Sequence, residues 1–414
     1  MNLLSLRRGC SAKARERSAQ RRVLIIVENL PVPFDRRVWS EATSLRAAGY
    51  DVSVICPKGK GARKGYEVVD GVHIYRHPMP FEARGPIGYL LEYSTALFWE
   101  FVLSIRVFVT RGFDAVHACN PPDLLFLIAG FYKFAFGKRF IFDHHDISPE
   151  LYEAKFSRRN TLWRLLVMLE RATFSIADVS IATNASYRQI AIERGHMDPS
   201  KVHIVRSGPR LDHVKTMPSD QAWKKGRQFL VGYVGVIGAQ EGLDLLMRSV
   251  KHILEKGRRD LQFAVVGDGP TLGDIKALAQ DLGVADFVTF VGRADDSTLF
   301  TILSTADVCV NPDRPNAMND KSTMNKILEY MALGKPIVQY DLTEGRFSAQ
   351  GASLYARNED PIDFAEKILE LLNDPNARAR MGELGRARVL EELAWSHEEP
   401  KLLQAYDMLF ERHA

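Results

Sequence analysis

NDKSTMNKILEYMALGKPIV, residues 319–338, is the stretch on which the fold turns. It reads as a polar loop, a short helix opened by Ser322 and Thr323, a stop at Gly334, and a buried strand after Lys335-Pro336. A helix start presents unpaired backbone N–H groups and the positive end of a dipole, which together suit a phosphate-bearing ligand. Glu329 stands seven residues beyond Ser322, roughly 10 Å along a helix axis. That spacing suits a carboxylate that holds a ribose while the helix start holds a diphosphate. A plain βαβ unit with a solvent-facing glutamate fits the same letters.

Outward from this stretch the same alternation recurs. The first half predicts strands at 23–27, 51–56, 72–77, 115–118, 139–143 and 179–183, with an amphipathic helix over 37–48 ended by Gly49. After a polar stretch the second half restarts, with strands at 229–234, 263–266, 287–290, 306–310 and 336–340 and a helix over 243–255. Strands alternating with helices predict an α/β fold with parallel sheets and ligand loops at the strands' C-terminal ends.

Composition fits a two-domain enzyme: 414 residues, 46% of them hydrophobic, are ample for two cores. A net charge of +4 with 26% charged residues is too mild for a nucleic-acid binder. Cys10, Cys56, Cys119 and Cys309 lack CxxC spacing, which fits a reducing cytoplasm better than a disulfide scaffold or a zinc site. Charge concentrates at the start, where Arg7, Arg8, Lys13, Arg15, Arg17, Arg21 and Arg22 face Glu16 alone. Such a tail reads as a disordered arm or as a polybasic contact with an anionic membrane. No segment is expected to span a membrane. The apolar runs 89–109 and 124–136 are interrupted by Glu92, Glu100 and Arg106, and by Lys133, and are expected as helices packed on a sheet, with a face near lipid.

The loop after the first strand, residues 28–37, lacks GxGxxG, so a dinucleotide reading loses its fingerprint. Asp35, Arg36 and Arg37 at a helix start read as a grip on an anionic acceptor, since guanidinium forks suit phosphate oxygens. Equally, Asp35 is a helix cap with one arginine as its ion-pair partner. Asp143-His144-His145-Asp146 follows a strand; adjacent residues on one loop seldom supply a whole ligand set, so no metal site is expected.

Residues 319–338 resemble the donor-binding helix of retaining glycosyltransferases of family 4, whose pattern is Glu, seven residues, Glu, then Ala, Gly and Pro. Glu329 matches the second Glu, followed by Ala332, Gly334 and Pro336, whereas Lys321 stands where the first is expected and Asp320 is one residue away. Residues 35–39 with the following helix and Gly49, Asn120-Pro121-Pro122-Asp123, residues 143–146 and Gly267-Asp268-Gly269-Pro270 stand in the family's order. The resemblance implies the GT-B fold: α/β, with two doubly wound Rossmann-like domains facing a central cleft. The implied layout is a basic tail (1–22), an acceptor-side domain (23–212), a linker (213–227), a nucleotide-sugar-binding domain (228–391) and a C-terminal helix (392–414) packing back on the first domain.

The resemblance also implies roles. Glu329 would hold the ribose. Asp320 or Lys321, with the backbone of Ser322, Thr323, Met324 and Asn325, would meet sugar hydroxyls and phosphate, and His145 the donor sugar near the reacting centre, oriented by Asp143 or Asp146. The loop of Arg293 would run past the nucleobase. In the turn 235–242 the family carries Arg and Lys where this chain has Val236 and Glu241. Backbone N–H groups from Gly235 to Gly238 are then expected at the diphosphate, with positive charge from Lys321, Lys326, Arg206 or Arg314.

The implied activity is retaining transfer of a hexosyl or N-acetylhexosaminyl group from a nucleotide-diphosphate sugar, commonly UDP-linked, to an acceptor hydroxyl of a lipid-linked glycan or polysaccharide precursor. No cofactor or metal is expected, and the enzyme is placed in the cytoplasm, at the inner face of the membrane. A nucleotide-sugar epimerase of the same architecture and a non-catalytic sugar-nucleotide-binding subunit are the alternatives. An NAD-dependent oxidoreductase is disfavoured because neither half carries the glycine fingerprint.

Overall fold

The structure is a computed structural model describing residues 20–59, 61–78 and 85–411. Most of the basic tail, residues 1–19, lies outside the described residues. The chain divides into two compact units, residues 1–143 with 176–179 and 406–414, and residues 144–175 with 180–405.

Eight strands form the first sheet: β1 (Arg22–Val27), β2 (Asp51–Pro57), β3 (Tyr66–Val69), β4 (Val72–His77), β5 (Ala115–Cys119), β6 (Arg139–His144), β7 (Val179–Ala182) and β8 (Val202–Ile204). Their order is β3-β4-β2-β1-β5-β6-β7-β8, with β3 antiparallel to β4. Six more form the second: β9 (Phe229–Val234), β10 (Leu261–Val266), β11 (Val288–Gly292), β12 (Val308–Asn311), β13 (Ile337–Tyr340) and β14 (Ser353–Ala356), ordered β11-β10-β9-β12-β13-β14 and parallel throughout. Each sheet reverses direction beside its first strand, between β1 and β5 and between β9 and β12. Those are the switch points where doubly wound sheets leave room for ligands.

The helices are α1 (Arg36–Ala47), α2 (Gly85–Thr110), α3 (Phe126–Phe136), α4 (Ser148–Phe156), α5 (Thr161–Ile176), α6 (Ala185–Glu193), α7 (Leu243–Glu255), α8 (Leu272–Asp281), α9 (Asp296–Thr305), α10 (Asn325–Ala332), α11 (Thr343–Ala349), α12 (Pro361–Asn373), α13 (Pro375–Arg388) and α14 (Trp395–Phe410). Runs such as Leu261–Val266 are buried at every position, Gln262 included, because helices cover both faces of a parallel sheet. Alternation along β10 shows the two faces: Leu261, Phe263 and Val265 join one core with α7 and α12, and Ala264 and Val266 join the other with α9 and α10.

The last turn of α14 belongs to the first unit, where the Tyr406 hydroxyl meets His117 Nδ1 at 2.8 Å and its ring packs on Tyr50. One expectation is corrected. Leu91–Thr110 of α2 is long and apolar enough to cross a membrane, although Glu92, Glu100 and Arg106 interrupt it, and only 22% of its apolar window is buried. Glu100 is tolerated because it is enclosed within the protein.

Candidate functional site

The second sheet's switch point brings together two of the expected donor residues, Gly235 and Lys326. From β9 the chain enters residues 235–242, and from β10 it enters Gly267-Asp268-Gly269. These two loops touch backbone to backbone. The Gly235 N–H donates to Val266 O and the Ile237 N–H to Asp268 O, and a Cβ on Gly267 would lie 1.8 Å from Gly235 O. Glycine is therefore obligatory at 267, where φ is also +141°.

This packing corrects the expectation that the N–H groups from Gly235 to Gly238 face phosphate. Two are spent on the neighbouring loop, and that of Gly238 is directed to the Glu241 carboxylate.

Lys326, in the first turn of α10, supplies charge at this loop. Its Nζ donates to Asp313 Oδ1 at 2.8 Å and lies 5.0 Å from the Tyr233 ring centroid. Its Cε lies 3.4 Å from the point where Gly235 would carry a Cβ. Burial alone would lower this lysine's pKa, but Asp313, Tyr233 and Glu241 outweigh it and hold the ammonium charged. Burial in turn pushes the Glu241 carboxyl up despite Lys326. The glutamate standing where the family has lysine thus faces a lysine from another element.

Helix α10 begins at Asn325, with Met324 as its N-cap and no side-chain cap bond, rather than at Ser322. Ser322 and Thr323 are drawn off by other partners. The Ser322 hydroxyl donates to Met318 O and lies 3.0 Å from the Tyr187 hydroxyl, and Asn184 Nδ2 donates to Lys321 O and to Thr323 Oγ1. Glu329, half-buried, therefore sits four residues into the helix, roughly 6 Å from its first residue rather than 10 Å.

Asp320, one residue from the position of the missing glutamate, is engaged by α11. It accepts the backbone N–H and the hydroxyl of Thr343 at 2.8 and 3.0 Å, capping α11. Lys321 lies 3.8 Å from Glu150. Arg206 pairs with Glu344 and stacks on Phe347, and Arg314 bridges Asp244 and Glu359. Arg293 is exposed just after β11.

His145 follows β6, half-buried. Asp143, one of the two carboxylates expected to orient it, takes Arg37 at 2.8 Å and lies 3.4 Å from His117 Nε2. Its neighbour His144 is buried 3.4 Å from Glu170 and packs on Phe174 and Tyr187, a structural role.

In the first unit, the acceptor expectation for Asp35 and Arg37 is likewise corrected. Asp35 caps α1 by accepting the Val38 N–H at 3.0 Å. Arg37 is buried between Asp143 and Glu41, so its guanidinium serves the protein's own carboxylates. Arg36 remains exposed. Glu41, His117, Cys119 and Asp143 offer metal-ligand atoms within 4.8 Å of one another. Arg37 already brings positive charge there, and burial, then the neighbouring carboxylates, keep the Cys119 thiol protonated.

A second buried group escaped sequence reading. Glu28 at the end of β1, His77 at the end of β4 and Glu100 on α2 each have a buried side-chain atom without a hydrogen bond. Burial, then Glu92, lifts Glu28 to about 7, and burial, then Glu28, lifts Glu100 to about 8. Burial lowers His77. All three favour the neutral form. The signals were the position of Glu28 directly after an apolar strand and that of Glu100 inside an apolar run.

Comparison with known proteins agrees with this geometry. Residues 35–208 match the glycosyl transferase 4-like domain, and residues 228–374 match the glycosyl transferases group 1 description. A GDP-mannose-dependent monoacylated alpha-(1-6)-phosphatidylinositol monomannoside mannosyltransferase of Corynebacterium glutamicum is 29% identical over 159 residues, 38% of this chain and 41% of that protein. The chain spans about half the length of the curated relatives it matches, from 39% to 59%. Sucrose-phosphate synthase from Thermosynechococcus elongatus superposes with a TM-score of 0.78 at 20% identity, over 94% of this chain and 99% of that one. HepE of Anabaena in complex with UDP-glucose gives 0.69 at 14%, over 93% and 99%. With two parallel Rossmann-like sheets of the GT-B type and both halves matched, the chain belongs to the family-4-like glycosyltransferases.

Proposed function

We propose that the chain is an enzyme that moves a sugar, with retention at the anomeric carbon, from a UDP-linked donor to a hydroxyl of a lipid-linked glycan or polysaccharide precursor. The observation that carries this reading is the meeting of Lys326 with Gly235. It sets a buried, charged ammonium against a strand-exit loop at the switch point of the second sheet. Negative charge gathering on a departing diphosphate is stabilised by a fixed cation in a low-dielectric setting, with no reorganisation at the moment of reaction. The start of α10, which no side chain of its N-cap residue closes, adds the positive end of a helix. Glu329 is assigned to the ribose and His145 to the donor sugar.

The UDP-glucose bound by HepE supports the choice of donor, and the phosphatidylinositol mannoside in the mannosyltransferase's name supports a lipid-linked acceptor. The charge of Lys326 supports metal-independent transfer. The buried thiols Cys56, Cys119 and Cys309 support a cytoplasmic setting, and the basic tail supports the inner face of the membrane.

A thermal-shift panel of UDP-, GDP- and ADP-sugars tests the donor. A ligand at one hundred times its Kd stabilises the folded state by about 2.7 kcal/mol. The expected result is a shift with a UDP-sugar and turnover that survives a chelator. A shift confined to GDP-sugars would overturn the base, and turnover abolished by chelation and restored by a divalent ion would overturn metal independence.

A further inference from the structure

Helix α2 exposes Leu91, Phe98, Val102, Ile105 and Val109. Spacings of three, four and seven residues put them on one stripe. The opposite stripe, Ala96, Glu100, Ser104 and Val107, is buried. A helix packed on a sheet ordinarily turns its polar side to water. This one presents Phe98 at 60% and Val109 at 77% exposure.

Helix α3 continues the surface with Leu127, Phe131 and Phe134, the last 76% exposed. The two helices are joined by ring contacts, Phe101 with Phe131 at 5.4 Å and Phe108 with Phe136 at 4.8 Å. Contiguous apolar surface of this kind marks a protein or membrane contact.

Charge identifies the occupant. Among the described exposed residues of α2 and α3 the single charged one is Arg106, a cation. At the Val109 end, Arg22 Nη1 donates to the carbonyl of Arg111, immediately after α2. Arg7, Arg8, Lys13, Arg15 and Arg17 precede that anchor in sequence, so the described chain begins, after a strongly basic stretch of sequence, near this end of the apolar stripe. An apolar face beside clustered cations matches the acyl boundary and headgroups of an anionic bilayer.

We propose that the outward faces of α2 and α3 are a docking surface for an anionic lipid bilayer, with α2 lying in the plane of the interface rather than across it. The buried Ala96–Val107 side keeps α2 on the protein. This surface does not rest on the donor assignment, so its test needs no turnover.

The full chain is sedimented with vesicles of phosphatidylglycerol and phosphatidylcholine in equal parts. Phe98→Ser with Phe134→Ser is expected to bind roughly tenfold more weakly, with melting and nucleotide-sugar affinity unchanged, since both side chains already face water. As a second reading, an environment-sensitive dye is placed through Phe134→Cys in a Cys10→Ser background. Its emission is expected to shift to the blue on adding vesicles, while a dye placed through Leu384→Cys stays unchanged. Wild-type vesicle affinity in the double variant, or an unmoved dye at position 134, overturns the proposal. So does a dimeric wild type that the double variant makes monomeric and that ignores vesicles, since the face would then seat a second copy. If the double variant fails to fold, the dye result alone decides.

Discussion

Lys326 Nζ lies 2.8 Å from Asp313 Oδ1, both side chains shielded from water, with Glu241 and Tyr233 as further neighbours. Removing one member of such a pair leaves a buried charge uncompensated and typically costs 3–5 kcal/mol. Lys326→Met should therefore lower stability by about that amount and weaken nucleotide-sugar binding. Adding Asp313→Asn should restore much of the stability but none of the affinity. Melting and calorimetric titration of both variants separate the two roles. Full donor affinity in the double variant would remove Lys326 from the diphosphate site.

Glu329→Ala should weaken nucleotide-sugar binding by about tenfold or more, the loss of one charge-assisted contact. Its carboxylate is half-buried at a helix surface, so the accompanying stability change should stay within about 1 kcal/mol. Titration with the donor, beside a urea melt, checks the pair of expectations. An unchanged affinity would move the ribose contact elsewhere.

Asp320→Ala should behave in the opposite way. The carboxylate holds the N–H and hydroxyl of Thr343 at the start of α11, and losing such a cap costs about 1 kcal/mol. Donor affinity should hold. A large loss of affinity at unchanged stability would return Asp320 to the sugar pocket.

Stability should fall as pH rises through neutrality. Burial lifts Glu28 to about 7 and Glu100 to about 8 from an ordinary 4.5, so the folded chain binds these protons more tightly than the unfolded chain. Their contribution is complete below the unfolded value and is lost as pH climbs through 7 and 8. At about 1.4 kcal/mol per unit, the loss between about pH 7 and pH 9 should be roughly 1–2 kcal/mol. Urea midpoints across that interval measure it. Glu100→Gln should flatten the slope, and an equally steep variant would assign it to other groups.

The alternation of apolar strands and amphipathic helices was legible because parallel strands are buried on both faces, so β1 and β9 announce themselves as continuous apolar runs, and β2, β5 and β10 as apolar runs broken at Ser53, His117 and Gln262. Short β3, with half its residues exposed, and three-residue β8 give no such signal. At the site, the letters located Glu329 and Lys326 but not the start of α10. Ser and Thr favour helix caps in general, yet here Tyr187 and Asn184, more than a hundred residues earlier, claim Ser322 and Thr323. Arg37 was misread for a similar reason: its partner Asp143 lies 106 residues away. The cap reading of Asp35 needed only its neighbour three positions on, and it was available from the sequence.

The last turn of α14 has a consequence for synthesis. Tyr406 completes a unit whose strands β1, β2 and β5 leave the ribosome long before it, and residues 144–405 must be made in between. At 5–20 residues per second that interval is roughly 10–50 s. During it, the His117 ring lacks its hydroxyl partner and the face of Tyr50 lacks its aromatic cover. The half that is translated first therefore keeps these two contacts open until almost the whole chain has been made.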